Sequence, residues 1–388
     1  MRLSGSRPNA TLLQSLRQRR WISDGRPFAP GDLVILRQKI DRSAPPILTK
    51  PLKPGRRIES HKGTIPHDEI IGKRVRDIVK SSTTRSNRDP TEYRLHEVTL
   101  EEYTRLSRRL VTPIYPADAN LIVNLLDLHP DSVESEDGAP KLEILEAGTG
   151  HGALTLHLSR AVQAANSATQ ANSNPDDWKA QRRAVIHTTD VSSQFSAHAQ
   201  TVVEGFRQGI YARNVDFHVG DVSEVLKSLQ SSRDTSSFLS HAILDMPSAD
   251  VHLANVADAL RTDGTLIVFN PSITQIIRCA EKVKEQGISL DLDKVVELGV
   301  NGGSGGREWD VRFIRPRAEE TSQPETPTEA DCEGGDESTD LRAPVSAADR
   351  PYSLVCRPKV GDRIVGGGFL GVWKKQRDMR AEIDQPSP

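Results

Sequence analysis

A buried strand that runs straight into three glycines at alternate positions is the feature that most restricts how this chain can fold. The segment reads Glu143-Ile144-Leu145-Glu146-Ala147-Gly148-Thr149-Gly150-His151-Gly152-Ala153-Leu154-Thr155. Glycines at this spacing permit a tight turn in which no Cβ atom keeps a ligand away from the backbone. The segment therefore predicts a strand, a ligand-binding turn and the start of a helix. A strand–helix turn that binds nothing is the alternative interpretation.

Strands and helices alternate after this motif. Predicted strands cover 184–190, 215–219, 241–245 and 264–269, and predicted helices cover 193–208, 223–229, 251–260 and 273–285. This alternation is typical of an α/β fold, a parallel sheet with helices on both faces. Short strands near 295–298, 310–314 and 368–373 are expected to complete the sheet. Residues 166–182 are interpreted as an inserted loop.

Acidic residues follow four of these strands, namely Glu146, Asp190, Asp221 and Asp245. Ligands of open α/β sheets bind at the carboxyl ends of the strands. The E-x-G-x-G-x-G pattern differs from the G-x-G-x-x-G fingerprint that binds a pyrophosphate, and a carboxylate beside the turn suits a cation better than a phosphate. S-adenosylmethionine has an ammonium, a sulfonium and no phosphate, so a methyltransferase is favoured over a glycine-motif oxidoreductase. Helix N-capping is the alternative role for each aspartate.

The positions of these acids suggest separate roles. Asp190 is placed to bind ribose hydroxyls, and Asp221 to accept from an adenine amino group. Asp245 is followed by Met246 and Pro247, and the proline stiffens the loop that carries the carboxylate. A carboxylate that accepts a hydrogen bond from an exocyclic amine would orient a base and stabilise the positive charge that grows on it. Asp245 is therefore the predicted catalytic residue.

The rest of the chain divides into an N-terminal β domain, a disordered insertion and tails. Thr99 is predicted to cap a helix with Glu102 in a capping box, and a second helix is expected from Pro116 to Leu128. The predicted boundaries are a transit peptide over 1–22, a small β domain over 23–98, the methyltransferase domain over 99–317, an acidic disordered insertion over 318–350, the last strand of the methyltransferase domain over 351–378 and a tail over 379–388.

Charge is unevenly distributed. The net charge is −2, but residues 318–340 hold nine acids and no Lys or Arg, so the remainder carries +7. Excess positive charge is compatible with a polyanionic substrate, although solvated charge without a partner is an equal alternative. Three scattered cysteines suggest neither disulfides nor a zinc site, no metal is expected, and no apolar run approaches the length of a membrane span.

The N-terminus has the character of a mitochondrial transit peptide. Residues 1–23 contain five arginines and several serines, and the first acid is Asp24. Such Arg-rich, acid-poor amphipathic segments direct import into mitochondria, so a location in the mitochondrial matrix is expected. A basic RNA-binding arm is the alternative.

Several segments together resemble a known family, the tRNA adenine-58 N1-methyltransferases, and specifically their catalytic subunit. The matching segments are Phe28-Ala29-Pro30-Gly31-Asp32-Leu33-Val34, Gly63-Thr64-Ile65-Pro66-His67-Asp68-Glu69-Ile70-Ile71-Gly72-Lys73, Leu100-Glu101-Glu102-Tyr103, Ile114-Tyr115-Pro116-Ala117-Asp118-Ala119, Leu145 to Thr155, and Leu244-Asp245-Met246-Pro247. The resemblance implies a Rossmann-like class I S-adenosylmethionine-dependent methyltransferase sheet with a small N-terminal β domain.

Site residues and partners follow from the resemblance. It implies that Ile114, Glu146, Gly148, Gly150, His151, Gly152, Ala153, Asp190, Phe195, Asp221, Val222 and Asp245 bind S-adenosylmethionine, with Phe195 near the ribose and Val222 beside the adenine. Tyr115, Arg307 and Trp309 are the candidates for contact with the target base, with core packing as the alternative for Trp309. The family acts on tRNA and forms tetramers, so a homotetramer, or a heterotetramer with a non-catalytic paralogous subunit, is expected, and no membrane partner.

The chain departs from the family at three places. The family has Gln where this chain has Thr112, Pro-Trp where it has Ser248-Ala249-Asp250, and Gly-His-Thr-Gly-Phe where it has Gly366-Gly367-Gly368-Phe369. The expected function is methylation of N1 of an adenine in the T-loop of mitochondrial tRNA. Methylation of another RNA, and a degenerate RNA-binding subunit without activity, are the alternatives.

Overall fold

The computed structural model describes residues 25–82, 89–130, 140–167, 178–299, 309–314, 353–358 and 367–377. The predicted transit peptide, the acidic stretch 131–137, the acidic insertion over 318–350 and the tail over 379–388 lie outside the described residues. The chain divides into one unit that comprises 1–304 and 365–388 and a second that comprises 305–364. Within the described residues no helix has both the length and the apolar character needed to cross a bilayer.

The N-terminal β domain contains six short strands, β1 (Val34–Gln38), β2 (Ile47–Leu48), β3 (Arg57–Ser60), β4 (Gly63–Pro66), β5 (Ile78–Lys80) and β6 (Glu92–Glu97). Antiparallel pairing gives one sheet in the order β2-β1-β6-β5 and a separate β3-β4 hairpin. Alternate residues of β1 face opposite sides, so Val34 and Leu36 enter the core of this domain while Ile35 packs into the core of the larger domain. Strands β2, β3 and β6 were not predicted from the sequence, and β2 falls in a segment, 41–57, that was interpreted as a loop.

Two helices connect the β domain to the central sheet, α1 (Leu100–Leu106) and α2 (Pro116–Leu126). The predicted capping box is confirmed, since Glu102 N donates to Thr99 Oγ1 and Thr99 N donates to Glu102 Oε2. Helix α2 starts with its proline at the first position, where no intrahelical N–H is needed. It ends two residues before the predicted Leu128, because Asp127 adopts a left-handed conformation with φ +49°.

The strands of the remainder are β7 (Leu142–Ala147), β8 (Ala184–Asp190), β9 (Val215–Val219), β10 (Leu239–Leu244), β11 (Leu260–Asn270), β12 (Leu290–Leu298), β13 (Trp309–Ile314), β14 (Ser353–Pro358) and β15 (Gly368–Lys375). The helices are α3 (Ala153–Val162), α4 (Trp178–Gln181), α5 (Ser193–Gly205), α6 (Val222–Ser231), α7 (Leu253–Ala259) and α8 (Ile273–Gln286). Helix α4 falls in the segment predicted as a loop, of which 168–177 lie outside the described residues.

The central sheet has seven strands in the order β12-β15-β11-β10-β7-β8-β9. Strands β9, β8, β7, β10 and β11 run parallel, whereas β15 is antiparallel to both β11 and β12. The two faces of β7 enter different hydrophobic cores, Ile144 on one side and Leu145 on the other. From β7 the chain proceeds outward to β8 and β9 and then returns to β10 on the opposite side. This reversal creates a crevice at the carboxyl ends of β7 and β10, where ligands of such sheets bind.

One predicted strand lies elsewhere. The run near 310–314 was expected to complete the central sheet, but β13 pairs with β14 in a two-stranded antiparallel sheet, with Trp309 opposite Pro358. Strand β14 was not predicted separately from the last strand, so the natural partner of β13 was missing from the sequence-based topology. The antiparallel partner satisfies the backbone groups along one edge of β13.

Candidate cofactor and substrate site

The turn after β7 is built against the strand end of β10. Gly148 has φ +95°, and a Cβ atom placed on it would lie 1.9 Å from the carbonyl oxygen of Asp245. Asp245 N donates to Ala147 O at 2.8 Å, and Gly148 N donates to Thr189 O at 2.9 Å. Only glycine therefore permits the Asp245 backbone to lie against this turn, and Gly148 determines the position of the predicted catalytic residue.

The other two glycines also serve contacts within the chain. Gly152 has φ +82°, and its Cβ would lie 3.1 Å from the Cβ of Ala199 on α5. Gly150 has φ +50° and faces Val111, with 3.3 Å between the ideal Cβ and Val111 Cγ2. All three glycines are therefore required by packing within the chain, and because Gly148 and Gly150 also border a cavity, contact between this turn and a ligand stays a prediction.

Glu146 is buried beneath this turn. It is 1% exposed, and Thr155 Oγ1 donates to its Oε2 at 2.6 Å. Burial, with a smaller contribution from the charge of Asp245, raises the pKa of Glu146 to about 8. In the free protein at neutral pH this carboxyl group is therefore mostly protonated, and a bound cation would favour its ionisation.

Asp190 holds two loops together at the end of β8. Its Oδ2 accepts from Gly150 N at 2.9 Å and its Oδ1 from Ser192 N at 2.8 Å. Phe195 is half-buried in the first turn of α5, and its N–H donates to Ser192 Oγ. Neither residue borders the two cavities at the crevice, so their contact with the ribose stays a prediction.

Asp221 is a helix N-cap, the role given above as the alternative to ligand binding. It caps α6, with its Oδ1 accepting from Ser223 N at 2.8 Å, while His252 Nε2 lies 3.7 Å from its Oδ2. Val222 is 2% exposed and its side chain packs in the hydrophobic core. Neither residue borders the two cavities, and their position beside an adenine stays a prediction.

Two adjoining cavities meet at Asp245. The narrow one is lined by the turn residues Glu146, Gly148, Thr149, Gly150, His151, Ala153 and Leu154. The larger has a volume of about 420 Å³ and includes Tyr115, Asp118, Met246, Pro247, Phe269, Asn270 and Gln275 in its lining. Asp245, Thr112, Pro113 and Ile114 border both. The two cavities are therefore adjacent at Asp245 and these three residues.

The Asp245 carboxyl group is available for a ligand. Among the described residues none donates a hydrogen bond to it, and burial, with a contribution from Asp190, raises its pKa to about 7. A half-buried carboxylate without a donor is less well solvated than one in water, which explains the raised pKa. A ligand that donates a hydrogen bond to Asp245 would stabilise its ionised form.

The segment between α1 and α2 covers the glycine turn. Ile114 is 8% exposed, and Tyr115 immediately precedes α2 with the Arg109 guanidinium 5.7 Å from its ring centroid. Ser107 Oγ lies 3.1 Å from His151 Nε2, so a hydrogen bond ties this segment to the turn. Burial lowers the pKa of His151 to about 4, and the ring is therefore neutral at physiological pH.

The structure identifies site residues that sequence reasoning did not select. Asn270 ends β11 at the same edge as the acids, Phe269 precedes it, and Asp118 and Gln275 come from α2 and α8. Only carboxylates were predicted as site residues at strand ends, and Asn270 is a polar residue in the same position at the end of β11. Among the predicted base contacts, Tyr115 lines the larger cavity. Arg307 lies outside the described residues, and Trp309 is described only as the first residue of β13.

The narrow cavity has a volume of about 20 Å³, which admits a small group, and the chemistry of its lining fits the cationic part of S-adenosylmethionine. Glu146 and Asp245 suit a cation, and Ile114 and Leu154 offer apolar surface. His151 Nδ1 is buried without a hydrogen-bond partner among the described residues. A buried polar atom of this kind is unfavourable unless a ligand or water satisfies it. Two carboxyl groups, an apolar wall and an unpartnered ring nitrogen match a ligand that has cationic, apolar and polar parts.

Two proteins of known function are similar to this chain in sequence. The tRNA (adenine(58)-N(1))-methyltransferase TrmI of Thermus thermophilus is 29% identical over 284 residues, which cover 73% of this chain and 89% of the Thermus protein. The tRNA (adenine(57)-N(1)/adenine(58)-N(1))-methyltransferase TrmI of Methanocaldococcus jannaschii is 26% identical over 251 residues, which cover 62% of this chain and 80% of that protein. No protein-family model matches the chain.

Solved structures share the fold. An S-adenosylmethionine-dependent O-methyltransferase of Thermotoga maritima has a TM-score of 0.57 and 16% identity, with 90% of this chain and 95% of that chain covered. The tRNA (m1A58) methyltransferase TrmI of Aquifex aeolicus has a TM-score of 0.51 and 18% identity, with 91% of this chain and 100% of that chain covered. These similarities confirm the predicted α/β fold with its Rossmann-like sheet.

Proposed function

We propose that this chain, a member of the tRNA adenine-58 N1-methyltransferase family, transfers a methyl group from S-adenosylmethionine to N1 of an adenine in the T-loop of tRNA. The observation that carries the proposal is the meeting of the two cavities at Asp245. The narrow cavity, with a volume of about 20 Å³, takes the part of the cofactor that carries the methyl group, and the larger one holds the target base. The first supplies an electrophilic methyl group, and the second presents a ring nitrogen to it.

The larger cavity is suited to a single base. Its volume of about 420 Å³ lies in the range of small-molecule sites, and its lining includes two aromatic residues, Tyr115 and Phe269. N1 of adenine is on the pairing edge, so the nucleotide must leave its stack before N1 can enter this space. Tyr115 and Phe269 supply aromatic surface that compensates for the stacking lost by the extruded base.

Asp245 has the central role. The adenine N1 lone pair needs no general base, because it bears no proton at neutral pH. As the methyl group is transferred, positive charge grows on the ring and on the exocyclic N6. The Asp245 carboxylate accepts a hydrogen bond from N6, orients the base, and stabilises this charge in a site that excludes water. Because burial raises the pKa of Asp245 to about 7, the N6 donor also maintains the carboxylate in its ionised form.

The experiment that tests the function is methyl transfer to RNA. The full chain, Asp245→Asn and Asp258→Asn are incubated with labelled S-adenosylmethionine and unmodified mitochondrial tRNA transcripts, and reverse-transcription arrest locates the label. Asp258 is exposed on α7 and remote from both cavities, so its variant is the matched control. We expect an arrest at a T-loop adenine, lost in Asp245→Asn and retained in Asp258→Asn.

Other results would redirect or remove the proposal. Label in ribosomal or messenger RNA, with none in tRNA, would support the alternative substrate class. Cofactor binding by calorimetry without transfer to any RNA would indicate that another subunit is required. Absence of cofactor binding would contradict the methyltransferase function and support an RNA-binding subunit without activity.

The cellular location is part of the proposal. The arginine-rich segment before Asp24 supports import into the mitochondrial matrix. Expression of the full chain with a C-terminal fluorescent protein, with and without residues 1–22, tests it. Loss of mitochondrial fluorescence on deletion is the expected result, and unchanged distribution would contradict it.

Assembly as a homotetramer, or as a heterotetramer with a non-catalytic paralogous subunit, is also proposed. Strand β12 is at the edge of the central sheet and exposes Leu292 and Val295, with 40% and 41% of their surface accessible. Exposed apolar residues on an edge strand favour association with another chain. Native mass spectrometry of the purified chain distinguishes a homotetramer from a species that needs a second subunit, and a stable monomer that is fully active would contradict both.

A further inference from the structure

Asn270 is a buried polar residue that the fold itself does not use. It is the last residue of β11, it is 3% exposed, and its Nδ2 has no hydrogen-bond partner among the described residues. Its backbone is held in place by pairing with Phe369 of β15 and by Gly368, whose ideal Cβ would lie 2.9 Å from Asn270 O. The side chain therefore projects from a rigid strand end.

Asn166 is a buried asparagine whose side-chain amide is fully hydrogen-bonded within the chain. Asn166 is 1% exposed, and its amide makes four hydrogen bonds, donating to Ala184 O and Asn214 Oδ1 and accepting from Arg183 N and Ala184 N. Buried amide groups are normally satisfied in this way, because an unpaired buried donor costs free energy. Asn270 Nδ2 has no such partner, which indicates that its acceptor belongs to a ligand.

The ligand space next to Asn270 is the larger cavity, which it lines together with Asp245. The two residues come from neighbouring parallel strands in register, since Leu244 of β10 pairs with Val268 of β11. Neighbouring strands are about 4.8 Å apart. Asp245 follows Leu244 directly and Asn270 follows Val268 by two, so both residues lie at the carboxyl ends of neighbouring strands, and both line the larger cavity.

This pair matches one edge of adenine. The base presents N6–H as a donor and N7 as an acceptor on the same edge. Guanine presents two acceptors there, O6 and N7, and O6 would face the Asp245 carboxylate. On the other side of N6 lies N1, the atom that receives the methyl group. A base held by N6 and N7 therefore directs N1 towards the narrow cavity, which Asp245 also borders.

We propose that Asn270 is a specificity-determining residue, whose amide donates to N7 of the target adenine while Asp245 accepts from N6. This inference rests on the proposed function and names the edge by which the site recognises its base. Asn270 positions the base and takes no part in the transfer of the methyl group.

The test combines a variant that lacks the Asn270 amide with a tRNA whose target base lacks the N7 acceptor. Asn270→Leu removes the donor at similar volume, and 7-deazaadenosine at the target position of a ligated tRNA replaces N7 by CH. The loss of N7 also alters the reactivity of N1, but it does so equally for the wild type and for Asn270→Leu. Dividing the adenosine to 7-deazaadenosine ratio of kcat/KM for the wild type by the same ratio for Asn270→Leu therefore isolates the contact between Asn270 and N7. For the wild type, kcat/KM is expected to be about 10- to 100-fold higher with adenosine than with 7-deazaadenosine, after correction by the Asn270→Leu ratio.

Binding and stability give readouts that do not depend on turnover. The affinity of the two tRNAs, measured by fluorescence anisotropy without cofactor, is expected to differ for the wild type and to be equal for Asn270→Leu. Asn270→Leu is expected to keep or raise the Tm, because it removes an unsatisfied donor. Asn166→Leu is the matched control and is expected to lower the Tm by at least about 4 °C. Asn270→Ser provides a second variant if leucine prevents folding.

Three results would contradict the proposed role of Asn270. An equal adenosine to 7-deazaadenosine ratio in wild type and variant would overturn the role of Asn270 and leave the proposed function intact. A fall in Tm as large as that of Asn166→Leu would show that Asn270 is structural. Inactivity of the wild type on the adenosine tRNA would remove the proposed function and this inference with it.

Discussion

Thr155 donates a 2.6 Å hydrogen bond from the first turn of α3 to Glu146 at the end of β7, beneath the glycine turn. This bond connects the strand and the helix on either side of the turn through a carboxyl group that water does not reach. Because the bond only partly offsets burial, the pKa of Glu146 is raised to about 8. The charge of this residue is therefore set by what binds beside it.

Glu146 makes the stability of the free protein depend on pH. The unfolded chain ionises this residue above its ordinary pKa of 4.5, whereas the folded chain retains the proton up to about 8. Folding therefore takes up a proton in this window, and stability falls as the pH rises from about 4.5 to about 8. Glu146→Gln should remove this contribution, so its folding equilibrium constant should gain on the wild type by up to about tenfold per pH unit in this range.

The measurement is urea denaturation of both proteins at a series of pH values from 5 to 8. The difference between the two curves isolates Glu146, since histidines whose pKa is lowered, such as His157 and His241, contribute equally to both. A difference that stays constant over the window would show that Glu146 is ionised in the folded protein.

Asp245 should make methyl transfer depend on pH near neutrality. Its carboxylate form accepts from N6, and burial raises its pKa to about 7, so kcat/KM should increase with pH up to about 7 and then level off. Asp245→Asn retains the shape and loses the charge, which should lower kcat by about 100- to 1,000-fold. Initial rates from pH 5.5 to 9 measure both effects, and a flat profile in the wild type would contradict the role.

Gly148→Ala should be severely destabilising. The new methyl group would lie 1.9 Å from Asp245 O, and the alanine would have to adopt φ +95°. The free energy of unfolding should therefore fall by more than about 3 kcal/mol. Gly55→Ala is the matched control, since Gly55 has φ +72° and nothing lies within 4 Å of its ideal Cβ. Its cost should be about 1 kcal/mol, from the backbone conformation alone. Thermal unfolding compares the two, and similar losses would show that the turn can separate from β10.

Ser107→Ala should weaken cofactor binding more than it changes the fold. It removes the hydrogen bond to His151 Nε2 that ties the segment carrying Ile114 to the glycine turn. The expected result is an increase in the Kd for S-adenosylmethionine of about fivefold, in line with one lost hydrogen bond. Calorimetric titration measures it. The neutral side chain of His151 should make the effect independent of pH between 6 and 8, and an unchanged Kd would show that the segment is held by its apolar contacts alone.

The sequence by itself determined the order of the elements and the edge at which the site forms. Hydrophobic strands alternating with helices specify a parallel sheet, and residues that follow such strands must meet at one edge. Glu146, Asp190, Asp221 and Asp245 could therefore be placed at that edge without coordinates. The glycine spacing likewise identified the turn, and Thr99 with Glu102 identified the start of α1.

The tertiary structure decided what each of these residues does. Asp221 caps a helix, Asp190 accepts from two backbone N–H groups, and Asp245 has no donor among the described residues. These differences depend on which distant atoms pack beside each carboxylate, and local sequence patterns contain no information about contacts between residues far apart in the chain. The register between β7, β10 and β11 brings Gly148 against Asp245 and places Asn270 at the larger cavity, which Asp245 also borders. Register and burial result from the packing of the whole sheet, and for that reason only the folded structure reveals that Asp245 and Asn270 line the same cavity.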